Sequence, residues 1–334
     1  MAVTSFGEMP DGTKVERVSL SAGPLSAEVL TYGSVLQDLR LEGHVPSLVL
    51  GFERLEHYLA HSPYFGATAG RCANRIRDGR LEVDSMAYQL DQNFLERHHL
   101  HGGSAGVGKR IWNIEAIASD QVTLSIELAD GEMGYPGKMD IGLTYRLLPE
   151  GVLDINLRAT TDKTTLCNLA HHSYFNLDGS ANILEHFLRI KADAYTQVDK
   201  ELIPTGEITE VTDSDFDFRQ IKPIGSESKQ NDIDHNFCLS SHRQKIRTVA
   251  ELMSPISGIS MEIRTTEAGL QVYDGARINP PVGGLDGREM AAYAGIALEP
   301  QVWPDAIHHR HFPQAMLHPE ETYHQHTQYA FSRE

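Results

Sequence analysis

The sequence predicts a mostly β protein built as a large antiparallel β-sandwich, on three observations. Apolar residues recur with a period of two, Pro and Gly punctuate the runs, and the amphipathic helical stretches are short. Val122, Leu124, Ile126 and Leu128 alternate with Thr123, Ser125 and Glu127, and Met139, Ile141, Leu143, Tyr145 and Leu147 repeat the pattern. Successive side chains of a strand point to opposite faces, so this alternation sets one face on a core and the other in water.

In chain order, residues 25–41 read as strand, 55–60 as a short helix and 81–90 as strand again, before the two alternating runs at 122–128 and 139–147. Pro149 and Gly151 then turn the chain into Leu153, Ile155 and Leu157, which predicts a β-hairpin. Residues 187–195 and 259–265 supply further strands. The 28 Gly and 15 Pro are spread along the chain, with no low-complexity tract and no clear repeat. A length of 334 residues leaves room for two domains, but sandwiches often exceed the usual size as single units. One domain over residues 1–334 is the expectation.

With 40% hydrophobic and 22% charged residues the chain can bury a large core. Its 29 Lys+Arg against 46 Asp+Glu give a formal net charge of −17, which argues against a nucleic-acid partner held through phosphate neutralisation. Cys72, Cys167 and Cys238 are too few and too scattered for a disulfide framework, so a reducing compartment fits. Residues 1–14 lack the basic start and apolar centre of a signal peptide, and no run approaches the ~18 apolar residues of a membrane span. No membrane partner and a cytoplasmic location are expected.

Five polar clusters place ionisable residues beside Gly or aromatic residues. Gly66-Ala67-Thr68-Ala69-Gly70-Arg71-Cys72-Ala73-Asn74-Arg75-Ile76 combines small residues, which permit close backbone approach, with the donors of Asn74 and Arg75. His98-His99-Leu100-His101-Gly102-Gly103 invites a zinc reading, but three His within four positions reproduce no zinc spacing, and no metal is expected. His308, His309, His311, His324 and His326 read as a solvated C-terminal region. The third cluster, Asn168-Leu169-Ala170-His171-His172-Ser173-Tyr174-Phe175-Asn176-Leu177, joins imidazoles to aromatics after a strand. The fourth, residues 231–237, reads as a solvated turn holding Asp232, Asp234 and His235. The fifth, residues 295–305, closes an apolar run with Glu299, where burial would tune a general base.

Gly102-Gly103-Ser104-Ala105-Gly106 matches the Gly-x-Ser-x-Gly of hydrolases, yet its flanks supply neither the strand before nor the helix after that the elbow needs. What remains is a Glu and a His with Asn, Arg and aromatic neighbours, a set suited to acid–base chemistry on a polyhydroxylated ligand. Planar polar side chains bind hydroxyls, and rings stack on a sugar face.

Taken in order, these clusters resemble the aldose 1-epimerase (galactose mutarotase) family, together with Leu50-Gly51-Phe52, Gln271-Val272-Tyr273, Pro304-Asp305 and Phe312-Pro313. The resemblance spans most of the chain. It implies a β-supersandwich with an open sugar cleft, a monosaccharide substrate and no cofactor. It places Glu299 as the base that takes the C1 hydroxyl proton and His172 as the acid that protonates the ring oxygen. His101 is similar to a second active-site histidine, and Asn74, Arg75, Asp234 and Gln271 match positions that bind sugar hydroxyls.

These roles require Glu299 ionised and His172 protonated in the resting complex, and Asp234 or Glu299 itself would raise the His172 pKa. Two departures from the family pattern bear on specificity: His171 stands where Asn is more usual, and Trp303 where Phe is common, which would alter stacking at the cleft. Two alternatives stay open at this point. A hexose-6-phosphate 1-epimerase would grip phosphate with Arg71, Arg75, Arg77, Arg80 and Arg310, and a non-catalytic sugar-binding protein would keep the fold without the chemistry. The preferred aldose and the oligomeric state are not set by the sequence.

Overall fold

The computed structural model describes residues 2–225 and 232–333; Met1 and Asn231, which open two of the segments read above, lie outside them. Two antiparallel sheets dominate. The larger runs Asn113–Ile117, Gln121–Leu128, Met139–Leu148, Val152–Thr161, Tyr323–Arg333, Ile259–Thr265, Arg247–Met253, Phe187–Ile190 and Lys222–Pro223. The predicted hairpin is at its centre, with Met139 opposite Thr161 and Leu148 opposite Val152, and Gly151 takes the positive φ of +80° that the turn requires.

The smaller sheet runs Tyr174–Phe175, Ile296–Gln301, Gly269–Tyr273, Asp234–Cys238, Ala194–Val198 and Pro204–Glu210. The sheets share one contiguous apolar cluster. Leu124, Ile141, Leu143, Leu157, Ile263 and Tyr329 of the larger sheet pack with Phe237, Leu270, Val272, Ile296 and Leu298 of the smaller. Pleating then decides what the opposite face of the smaller sheet carries, because residues between these apolar positions point away from the shared core. Cross-strand pairing aligns Gln271 with Glu299, Tyr273 with Asp234 and Tyr174 with Ala297 on that face.

A four-stranded sheet of Ala2–Glu8, Lys14–Ala22, Leu25–Leu30 and Leu36–Leu41 stands at the N-terminus. The helix Leu55–His61 buries Leu55 and Tyr58 in a second apolar cluster with Phe52 and Phe65, and the Tyr58 hydroxyl accepts from the Phe52 N–H at 3.0 Å. No helix among the described residues is long and apolar enough to cross a membrane.

Two expectations are corrected, the second only in part. Residues 232–237 are not a solvated turn: Asp234–Cys238 is an interior strand of the smaller sheet, with buried Asn236 and Phe237. Of the C-terminal histidines read as solvated, His308, His311 and His324 are exposed, whereas His326, on the strand Tyr323–Arg333, is half-buried with Nε2 on Asp154 Oδ1 at 2.5 Å. His308 Nδ1 likewise meets the buried Asp305 carboxylate at 2.6 Å. Partners distant in sequence fix the strand Asp234–Cys238 and His326, whereas His308 is held by Asp305, three residues before it.

Leu143 is 1% exposed in the shared core and remote from the polar face, so Leu143→Ala should cost about 2–5 kcal/mol. Urea unfolding should show it as a lower midpoint with an unchanged slope, while the folded variant keeps full activity.

Candidate active site

The polar face of the smaller sheet opens on a cleft of about 300 Å³, at the small end of ligand pockets. It is lined by Asn74, Arg75, His101, His172, Asp234 and Glu299, joined by Pro63, Tyr64, Phe94, Leu100, Tyr174, Tyr273 and Arg277. Another cleft of about 310 Å³, around Pro46, Leu285 and Met290, is mainly apolar and holds no facing acid and base.

Glu299 sits mid-strand in Ile296–Gln301, whose six residues are all buried. Both edges are paired, by Gly269–Tyr273 and Tyr174–Phe175, so the carboxyl is held by a rigid element. His172 lies on the short irregular stretch between Ala170–His171 and Tyr174–Phe175. Its N–H donates to Ala67 O at 2.9 Å and its carbonyl accepts from Gly66 N–H at 3.1 Å, so the glycine-rich segment fastens it. His172 Nε2 and Glu299 Oε1 are 3.5 Å apart, with the side chains 6% and 2% exposed. Glu299 Oε2 and His172 Nδ1 are buried with no hydrogen-bond partner among the described residues.

The remaining polar groups form a connected rim. Asn74 adopts φ +63°, and its N–H donates to His101 Nδ1 at 3.1 Å. A backbone N–H can only donate, so His101 Nδ1 is the acceptor and Nε2 carries the proton in the neutral ring. Asn74 Oδ1 accepts from Arg75 N at 2.8 Å, Arg75 Nη2 donates to Asp234 Oδ2 at 3.0 Å, and Gln271 Nε2 donates to Asp234 Oδ1 at 2.7 Å. Phe94 lies against the guanidinium, 5.0 Å from ring centroid to Cζ.

Six of the seven residues named from the sequence therefore converge on one cleft. Gln271, 3% exposed, lies one layer back as a support for Asp234. Tyr64, Phe94, Tyr273 and Arg277 escaped the sequence reading. Tyr64 had a faint signal, since Ser62-Pro63-Tyr64-Phe65 leads directly into the glycine-rich segment; Phe94 had none.

The charge state expected for the sugar complex is not the one that burial favours in the free protein. Burial pushes His172 down to about 4, although Asp234 pulls it up, and raises the Glu299 carboxyl well above the usual carboxylate range, with Asp234 adding to the rise. The local environment thus favours a neutral imidazole beside a protonated carboxyl. The two departures also resolve. His171 Nδ1 meets the Tyr145 hydroxyl at 3.1 Å, and that hydroxyl donates to Ser34 O at 3.0 Å, so His171 is part of the buried support beneath His172. Trp303 packs on Phe312 and donates from Nε1 to Ala268 O at 2.9 Å; it does not line the cleft, so the expected effect on stacking there is withdrawn.

The arginine cluster does not converge on this cleft either: Arg80 and Arg310 line another one, of about 570 Å³, with Tyr88 and His308. Arg71 is buried with Nη1 on Pro136 O and Gly137 O, Arg75 serves Asp234, and Arg77 Nη2 donates to Pro204 O. Of the neighbouring imidazoles, His99 is held between Asp91 O and the Tyr135 hydroxyl, and His98 accepts from Asp78 N and meets Glu201, so both serve loop architecture. Ser104 is exposed, with no helix to make an elbow: only the 3₁₀ turn Val107–Lys109 follows.

Comparison with known proteins agrees with this geometry. The family model described as aldose 1-epimerase matches residues 16–330. The chain is 39% identical to the galactose mutarotase of Mus musculus, over 98% of each chain. It is 34% identical to the aldose 1-epimerase of Haemophilus influenzae, over 90% of each. Among solved structures it is similar to an aldose epimerase homologue from C. elegans, with TM-score 0.89 and 31% identity over 95% of this chain and 98% of that one. It is also similar to a galactose 1-epimerase from Lactobacillus acidophilus, with TM-score 0.86 and 27% identity over 99% and 98%.

Five histidines, His99, His101, His171, His172 and His186, are buried and all shifted down by that burial, to about 4 or about 3 or, for His101, well below 6.5. Their folded pKa values lie below the unfolded value near 6.5, so the unfolded chain binds protons first as pH falls. Glu299 and Glu267, both raised, oppose this but number only two. Stability should therefore be full above pH 6.5 and fall toward pH 4, by about 1.4 kcal/mol per pH unit for each net proton. Urea midpoints at pH 7 and pH 5 test this; an equal or higher midpoint at pH 5 would contradict it.

Proposed function

The chain belongs to the aldose 1-epimerase family, and from that membership we propose that it interconverts the α and β anomers of a free aldose such as galactose or glucose. Glu299 acts as general base and His172 as general acid. The observation that carries this reading is the facing of these two groups, Nε2 to Oε1 at 3.5 Å, inside a cleft rimmed by hydroxyl-binding side chains.

Opening a hemiacetal removes a proton from O1 while the ring oxygen gains one. A concerted acid and base avoid both a free alkoxide and a free oxonium, a contribution of typically 10²–10⁴ per positioned group. Glu299 takes the O1 proton and His172 gives its proton to the ring oxygen, which leaves a protonated carboxyl and a neutral imidazole. Burial favours that same pairing in the free protein. Rotation about C1–C2 presents the other face of the aldehyde. Closure then runs the transfers backwards, and the pair returns to carboxylate and imidazolium with the anomer inverted.

Asn74, Arg75, His101 and Asp234 supply donors and acceptors for the other hydroxyls. Gln271 acts through Asp234, whose second oxygen it occupies. Of the arginines required by a phosphosugar reading, Arg71 and Arg77 bond backbone carbonyls, Arg75 bonds Asp234, and Arg80 and Arg310 line a different cleft, while a protein that only bound sugar would have no use for an acid opposite a base.

Polarimetry on freshly dissolved α-D-galactose and α-D-glucose tests the reading. The wild type should speed the drift to anomeric equilibrium. Glu299→Gln and His172→Gln should each lose at least about 10²-fold in turnover while still binding sugar. Unchanged turnover in Glu299→Gln would remove the carboxyl from its role.

A further inference from the structure

We propose that Tyr64 and Tyr174 form an aromatic cradle that stabilises the imidazolium form of His172 and so sets its strength as an acid. The proposal rests on His172 being the acid of the reading above. The Tyr174 ring centroid lies 5.0 Å from that of His172 with the planes 28° apart, and the Tyr64 centroid lies 5.9 Å away at 21°. Both rings thus turn π surface toward the imidazole within the range at which a ring quadrupole attracts a cation.

The cradle is a built feature. Tyr174 is two residues beyond His172 on the same stretch, and its hydroxyl donates to Pro63 O at 3.1 Å. That bond ties it to the residue before Tyr64. Tyr64 itself adopts φ +67°, a conformation uncommon for a bulky side chain, in a turn closed by Ser62 Oγ accepting from Phe65 N at 2.9 Å. Phe65 and Tyr273 pack edge-on against Tyr174, at 5.1 and 6.0 Å between centroids. Both phenols are shifted up by burial, Tyr64 to about 12, so neither ring becomes a phenolate at neutral pH.

The other groups facing His172 leave this task undone. Glu299 is itself driven neutral; Asp234 favours the imidazolium, but Arg75, paired with Asp234, opposes it. His101, 5.2 Å away and edge-on, and the buried His171 add no compensating negative charge. Lys109 Nζ, 5.4 Å from the Tyr64 ring, draws on the same π surface, and Arg277 adds a further cation at the mouth. Desolvation would leave His172 too reluctant to carry the proton it must donate. Two polarisable faces restore part of that capacity without placing another charge beside Glu299.

Tyr64 and Tyr174 are positioning residues in this scheme, since they act through His172. Tyr64 gives the cleaner test, because its hydroxyl has no hydrogen-bond partner among the described residues. Tyr64→Phe, which keeps the π face, should lose less turnover than Tyr64→Leu and leave the protonated fraction of His172 unchanged. Tyr64→Leu should lower kcat about two- to thirty-fold and move the alkaline limb of the kcat profile down by about half to one and a half pH units. Phenylalanine analogues carrying increasing numbers of ring fluorines at position 64 keep the shape while draining the π face, and log kcat should fall steadily along the series.

Independently of turnover, the imidazole ¹⁵N shifts of His172 at pH 5.5, identified by their loss in His172→Gln, should report a smaller protonated fraction in the leucine and fluorinated variants. An unchanged protonated fraction across the fluorinated series, or equal losses in the phenylalanine and leucine variants, would overturn the cradle. The fluorinated set decides the matter even if Tyr64→Leu does not fold. A wild type that epimerises no aldose while the shifts follow the series would sink the catalytic reading and leave the cradle standing.

Discussion

A carboxyl and an imidazole held 3.5 Å apart, almost out of reach of solvent, impose the constraint that the surrounding structure answers. Neither keeps a charge easily there, because burial penalises imidazolium and carboxylate alike. Nor can either drift, since a concerted proton transfer tolerates little error in position. The strand Ile296–Gln301 meets the second demand. Paired on both edges and buried along its length, it gives the Glu299 backbone no alternative, and the alternation that sends Ile296 and Leu298 into the core sends Glu299 to the cleft.

The polar rim answers the first demand only in part. Gln271, Asp234, Arg75, Asn74 and His101 are linked in one hydrogen-bonded chain in which each member satisfies the next. Its one carboxylate and one guanidinium neutralise each other, so their fields at His172 and Glu299 are opposed: Asp234 raises both groups and Arg75 lowers both. A field that moves both groups in the same direction does little to choose which of them holds the shared proton. That choice falls to groups that favour one member of the pair over the other, and the rings of Tyr64 and Tyr174 lie against His172.

Much of this was legible in the sequence because it is local. Period-two alternation at 122–128 and 139–147 marked two neighbouring strands of the larger sheet, and Pro149 with Gly151 marked the hairpin. The family resemblance located Glu299, His172 and four other cleft residues by their ordered motifs. What escaped depends on contacts distant in sequence. Asp234 looked like a turn residue because three of its neighbours are polar, and only pairing with Gly269–Tyr273 makes it strand. Gln271 matched a sugar-binding position, and only register reveals that it lies across from Glu299 with its amide on Asp234. Charge states were the least legible, since composition reveals which ionisable groups exist and not how deeply each is buried.

The neutral state favoured by burial is consistent with a reversible catalyst. Ring and open-chain forms of an aldose carry the same charge, and the pair passes between carboxylate with imidazolium and carboxyl with imidazole without net change. An environment that strongly favoured the charged pair would hold the sugar closed, and one that strongly favoured the neutral pair would hold it open. Either bias would deepen one well and raise the barrier out of it. Burial leans toward the neutral, open-chain stage. In the proposed reaction, contacts available only when the ring is closed, an O1–H donor on Glu299 and a ring-oxygen acceptor on His172, lean the other way. Tyrosine faces beside the imidazole push in that same direction by favouring imidazolium, which brings the two stages closer in free energy, as a reaction that must run equally well both ways requires.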